Sequence, residues 1–297
     1  MRLPALTLLW LMAVALALCG LGNVALRDWD EGIVAGVALA ASRDSGMEVL
    51  LPTYWGEPYL NKPPGLHLLI AAAISLWRRL YGAGPLAVAP EFVVRLVPAL
   101  LSTAVVPLVG QVQRLLRPGD GAAAVASAAI ALTLLPLARH GRMAMLDGTQ
   151  LVAMLVVWWG VLLPAPLLCR RGPMAPPGDR LSLSPLAGGG LAGLGGSALL
   201  LLKAPVALPV LLVALGLRCL DRDLDRRAWA ILLIGLLFGL VPGVAWHLWH
   251  GWVRGEAALI MWTSQGLARL RTTLEGHQGG PLPPLREVVR GGWPWLT

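Results

Sequence analysis

Eight apolar stretches, near residues 3–26, 66–80, 96–113, 121–138, 150–169, 186–202, 204–217 and 228–248, are separated by short gaps that carry most of the charge. A hydrocarbon environment leaves no water for backbone polar groups, so such runs must close their hydrogen bonds internally as helices. The chain is 57% hydrophobic and only 13% charged, where a soluble domain carries about 25% charged residues. The mean hydropathy is +0.69. These features imply an all-α, polytopic helical membrane protein organised as a single transmembrane module over residues 1–297, with no internal repeat and no soluble domain.

The stretch 66–80 has fifteen residues before Trp77-Arg78-Arg79, short of the roughly 20 that a spanning helix needs. If it crosses, Arg114 and Arg117 fall outside, together with the loop near 170–180. If it lies along the outer interface, with Trp77, Arg78 and Arg79 at headgroup level, the positive-inside rule is satisfied. Arg114/Arg117, Arg170/Arg171/Arg180 and Arg218/Arg222/Arg226/Arg227 are then all cytoplasmic. The second arrangement gives about seven transmembrane helices plus outer-face juxtamembrane helices. The amino terminus is inside, and Lys203 sits at a tight outer turn between 186–202 and 204–217. It also gathers Asp30, Glu31, Lys62, Arg95, Arg139, Arg142, Asp147 and Lys203 on the outer face. The expected location is the plasma (inner) membrane, with these residues facing the periplasm or exterior.

The net charge is +8 and the sequence pI near 10.4. The basic residues are scattered between apolar spans, so they suit lipid headgroups and lipid phosphates rather than nucleic acid. Cys19, Cys169 and Cys219 form no CxxC pair and indicate neither a disulfide framework nor zinc. Leu18 is too bulky for a lipoprotein cleavage site before Cys19, and Leu3–Val24 is too long for a signal peptide core. Gly188-Gly189-Gly190-Leu191-Ala192-Gly193 spells GxGxxG but follows no strand. Gly189 and Gly193 therefore read as a helix-packing pair, not a nucleotide loop. His247 and His250 are half of a metal site without a matching carboxylate, so no metal and no cofactor are expected.

The remaining polar residues each carry two readings. Asp30 and Glu31, in Arg27-Asp28-Trp29-Asp30-Glu31, either cap a following helix or supply a general base. Lys62 is either a snorkelling interfacial lysine or a point charge for a phosphate. Arg95 opens a span as an anchor or as a second phosphate contact. Arg139 and Arg142 are three apart and can share a helical face, with Asp147 able to orient either one. His140 reads as an interface histidine. Tyr54, Glu57 and Tyr59 are further polar candidates near Lys62.

The order of Asp30-Glu31, Tyr59-Leu60-Asn61-Lys62-Pro63-Pro64, Arg95, Arg139-His140-Gly141-Arg142-Met143-Ala144-Met145-Leu146-Asp147 and Leu202-Lys203-Ala204-Pro205 resembles that of C-type glycosyltransferases. These enzymes use polyprenyl-phosphate sugars. The nearest patterns are the protein mannosyltransferase-like family and its relative, the aminoarabinose transferase acting on lipid A. The resemblance implies Asp30 as catalytic base with Glu31 as its companion. It implies Lys62, Arg95 and Lys203 at the donor phosphate, and Tyr59, Arg139, Arg142, Asp147 and His277 as site support. Ala204 replaces the family's glycine after that lysine. Family members continue for several more helices and an outer domain, so the chain is expected to be the amino-terminal module, with a possible second chain supplying the remainder.

The implied reaction moves a sugar from a polyprenyl-phosphate donor to a lipid, glycan or protein acceptor, with inversion. A non-catalytic subunit or remnant that binds lipid phosphate is the rival expectation. A transporter would hold its ionisable groups near the bilayer midplane, which the outer-face clustering disfavours.

Overall fold

The computed structural model describes residues 3–164, 184–220, 224–268, 282–292 and 295. Among them, the stretches 91–116, 185–220 and 226–262 are long and apolar enough to cross a membrane. Shorter apolar helices cover 4–18, 121–133 and 146–162. The chain is a helical membrane protein, as its apolar runs require. The helices in order are α1 (Leu3–Leu18), α2 (Asp30–Ala41), α3 (Gly65–Tyr81), α4 (Glu91–Thr103), α5 (Val105–Leu116), α6 (Gly121–Thr133), α7 (Leu135–His140), α8 (Leu146–Leu162), α9 (Pro185–Leu220) and α10 (Arg226–Arg254). A further helix covers Leu282–Gly292.

One departure from an all-helical chain is a small hairpin, β1 (Thr53–Tyr54) and β2 (Glu57–Pro58), paired antiparallel with Thr53 opposite Pro58. Trp55 (φ +55°) and Gly56 (φ +84°) form the two-residue turn with both central residues left-handed, as type I′ hairpins require. The signal was Gly56 alone, since tryptophan is not a residue that favours this conformation.

The long element α9 is two helices. A straight helix would separate Gly196 from Leu211 by about 22 Å, yet a Cβ placed on Gly196 would lie 3.4 Å from the Leu211 side chain. The chain therefore doubles back, and it does so at Lys203, whose backbone (φ −155°, ψ 82°) leaves the helical region. Pro205 reinforces the break because it has no N–H for the carbonyl four residues earlier. The expected tight turn at Lys203 is present.

Close helix packing is made by glycine. A Cβ on Gly193 would come within 2.7 Å of Gly239 Cα, and one on Gly195 within 2.9 Å of the Ala153 carbonyl oxygen. The first leg of α9 is thus sandwiched between α8, running antiparallel, and α10, running parallel. This is the packing role read from Gly189 and Gly193. The opposite side of α10 leaves Leu237, Phe238, Val241 and Leu248 exposed, as a lipid-facing surface should.

Helix α3 buries Leu66, His67, Ile70, Ala71, Ile74 and Arg78 and exposes Leu69, Leu76 and Leu80. Its Arg78, expected to face headgroups, is turned into the fold. Arg78 is buried and donates to the Ser42 hydroxyl at 2.9 Å and the Ala87 carbonyl at 3.0 Å. It ties the end of α2 to the loop after α3.

Candidate functional site

The polar residues converge because the bundle ends are stitched together by side chain to backbone contacts. Arg142 donates to the Ala17 carbonyl at 3.1 Å and also to the Cys19 carbonyl, satisfying the open carboxy-terminal end of α1. Arg142 and Arg139 do not share a helical face, because α7 ends at His140. Arg139 instead lines a cavity of about 920 Å³ with Asp147, Pro136, Leu151 and Trp295.

The acid pair is divided by the structure. Glu31 is fully buried, while Asp30 is exposed at the start of α2. Glu31 Oε1 accepts from Arg95 Nε at 2.7 Å and from the Ala144 amide at 2.8 Å. Its Oε2 accepts from Arg95 Nη2 at 2.6 Å and from the Arg27 amide at 3.2 Å. Burial alone would raise the Glu31 carboxyl pKa. The Arg95 guanidinium and the Ala144 and Arg27 amides outweigh burial and hold it below the ordinary carboxylate value.

Arg95 is equally committed. Its remaining donors reach the carbonyls of Leu21 (3.1 Å), Val24 (2.6 Å) and Ala25 (3.0 Å). It is 6% exposed, so the geometry gives it a joining task, linking α4 to the α1–α2 loop and to Glu31, where a phosphate contact had been expected. Trp29, the residue before α2, makes no side-chain cap, and Glu31 reaches back to Arg27 only as one of its four contacts.

Lys62 is half-buried on the turn before α3. That turn is pressed against α9: a Cβ on Gly65 would lie 2.6 Å from the Leu201 carbonyl oxygen. Lys62 is thereby brought to the end of the bundle that carries Lys203. Gly160 packs on Gly188 and Ala192, and Gly195 on Val157 and Ala153; continuing that register sets Asp147 level with Lys203. Asp30, Lys62, Asp147 and Lys203 consequently occupy one end of the fold, with Asp30 and Asp147 exposed and both lysines half-buried. An apolar groove of about 350 Å³ adjoins this end, lined by Leu50, Pro64, Gly65, Leu68, Trp246 and Trp249.

Tyr59 is buried, with its ring 6.4 Å from Tyr54 and 5.6 Å from His67. Burial, with Tyr54 adding to it, pushes its hydroxyl pKa up to about 12, so Tyr59 is not poised for proton transfer. Buried polar groups that were not singled out from the sequence include His67 and Gln150. Among the described residues His67 Nε2 and Gln150 Oε1 are buried with no hydrogen-bond partner, and Gln150 lies three positions after Asp147 on α8. Histidine and glutamine within apolar runs were the available signals. Among the described residues no group of three His, Cys, Asp or Glu side chains could hold a metal. His277 lies outside the described residues.

Two solved structures share this arrangement of helices, those of ArnT from Cupriavidus metallidurans in the apo state and bound to undecaprenyl phosphate. The TM-scores are 0.72 and 0.71, each over 97% of this chain, at 19% and 20% sequence identity. The chain has the ArnT fold. It spans about half the length of those structures, 48% of each. No family model and no curated protein matches the chain. The ArnT likeness establishes the fold.

Proposed function

We propose that the chain is the membrane module of a glycosyltransferase that draws its sugar from a polyprenyl-phosphate donor. The observation that carries this reading is the separation of the acid pair. Glu31 is locked to Arg95, whereas Asp30, one residue earlier, is open at the same end as Lys62 and Lys203. The fold shared with an ArnT structure that holds undecaprenyl phosphate supports it, and so does the apolar groove beside the Lys62 turn, which suits an isoprenoid chain.

In this reading the seven apolar legs cross the membrane and the stitched end faces the periplasm or exterior. Asp30 removes the proton from an acceptor hydroxyl. The oxygen attacks the anomeric carbon, the bond to the phosphate oxygen breaks with inversion, and polyprenyl phosphate leaves as an anion that needs no general acid. Lys62 and Lys203 offset the charge growing on that oxygen. Arg95 and Glu31 hold α2, and hence Asp30, in place. Arg139 and Asp147 line the larger cavity, where the acceptor would enter.

The test is sugar release from radiolabelled polyprenyl-phosphate hexose or pentose in proteoliposomes. Asp30→Ala and Lys62→Ala should each abolish turnover while the protein stays folded. No turnover in any preparation, with lipid phosphate still bound, would assign the chain instead to a lipid-binding subunit that requires a partner.

A further inference from the structure

His67 lies in the first turn of α3, five residues after Lys62, and is fully buried. Its Nδ1 is 3.2 Å from the Pro63 carbonyl oxygen. A carbonyl only accepts, so the bonded tautomer carries its proton on Nδ1 and leaves a lone pair on Nε2. Among the described residues that Nε2 is buried without a partner, and a buried acceptor left unpaired is costly. A leucine would fill the space without this penalty, so packing alone does not account for an imidazole here.

What the imidazole does is bridge the corner. Pro63 follows Lys62 directly, and prolines 63 and 64 supply no N–H to brace the turn from within. The backbone amide of Tyr59 bonds to the Pro52 carbonyl at 2.9 Å, and the Tyr59 ring stands edge-on to the imidazole at 5.6 Å. On the far side, Gly65 abuts the Leu201 carbonyl. The turn bearing Lys62 is therefore fixed at both ends, and among the described residues His67 is the side chain that reaches its middle carbonyl.

We infer that His67 is a positioning residue that fixes the Lys62 corner through the Pro63 carbonyl and so aims the Lys62 ammonium at the lipid phosphate. The inference rests on the proposed role of Lys62. A neutral imidazole suits this task, because it braces the turn without placing a second positive charge beside the lysine. Asparagine can replace the contact, since its amide nitrogen occupies nearly the place of Nδ1. Glutamine and leucine cannot, because one reaches toward Nε2 and the other donates nothing.

The test is binding of undecaprenyl phosphate and of undecaprenol to the full chain in detergent, followed by quenching of tryptophan fluorescence, since Trp246 and Trp249 line the adjoining groove. The phosphate-bearing lipid should bind roughly tenfold more weakly to His67→Leu and His67→Gln, and about 10–100-fold more weakly to Lys62→Ala, as loss of a charged hydrogen bond predicts. Undecaprenol binding should be unchanged in all of these, and His67→Asn should behave as wild type. Wild-type phosphate binding by His67→Leu alongside a weakened Lys62→Ala would leave His67 a core residue and overturn the inference. Equal loss of both lipids, or failure of His67→Asn to restore binding when folded, would overturn it also. An unaffected Lys62→Ala would instead remove the phosphate assignment itself, whatever the histidine variants do.

Discussion

Replacing Glu31 by glutamine is a sharp probe of the buried pair, because the substitution is nearly isosteric and its effect can be worked from the contacts. Each carboxylate oxygen accepts from one Arg95 nitrogen and one backbone amide, Oε1 from Nε and Ala144, Oε2 from Nη2 and Arg27. Whichever way the glutamine amide is turned, its NH₂ faces two N–H donors. The variant thus loses a charged bond and sets donor against donor, while Arg95 stays buried. Removing one partner of a buried ion pair costs about 3–5 kcal/mol. At about 2 °C per kcal/mol for a chain of this size, the apparent unfolding temperature in detergent should fall by roughly 6–10 °C. Arg95→Met should cost at least as much, since it also abandons the Leu21, Val24 and Ala25 carbonyls. The double variant Glu31→Leu/Arg95→Met should be less harmful than the sum of the two changes, with a coupling of about 2 kcal/mol. Glu31→Gln melting within about 1 °C of wild type, or strictly additive effects, would refute the claim that this pair fastens α2 to α4.

Burial holds the His67 pKa down to about 4, from an ordinary 6.5, despite the Pro63 contact, with Lys62 contributing in the same direction. The folded state therefore resists protonation, and the stability this gives is complete above pH 6.5 and lost as pH falls toward 4. The expected loss between pH 7.5 and pH 5 is about 2 kcal/mol, visible as a falling unfolding temperature whose slope flattens in His67→Asn. Gly193→Leu should separate α9 from α10, since a Cβ there already meets Gly239 at 2.7 Å; a wild-type melting profile and wild-type lipid binding would contradict that packing. Arg142→Ala should loosen the carboxy-terminal end of α1 by about 1–2 kcal/mol, read as faster amide exchange at residues 18–22 with little change in α10.

The lengths of the apolar runs were enough to reveal most of the helices, the turn at Lys203 and the glycine packing, because these act locally; α2 (Asp30–Ala41) lies outside those runs. The arginine bias of the loops also led to the expectation that Asp30, Lys62, Asp147 and Lys203 share one face. That Glu31 is buried while Asp30 is exposed was not foreseen, because it depends on Arg95 lying 64 positions away. Arg142 likewise spans 125 positions to reach Ala17. Long-range partners decide whether a polar residue is structural or exposed, and no spacing rule within a single segment exposes them. His67 escaped notice for the opposite reason: its surroundings are apolar, and the information lies in a nitrogen with nothing to bond.

The break in α9 has a mechanical consequence. By interrupting the helix at Lys203, the chain frees carbonyls that an unbroken helix would have used, and other parts of the molecule take hold of them. Leu200 is engaged by His247 of α10 at 3.0 Å, and Leu201 forms the floor on which Gly65 rests. A single backbone bend thus acts as a common bearing for α3 and α10. A methyl group added at Gly65 would lift the Lys62 turn off that bearing, so the smallest possible side chain at this position would shift a charge while leaving every charged residue in the protein unaltered.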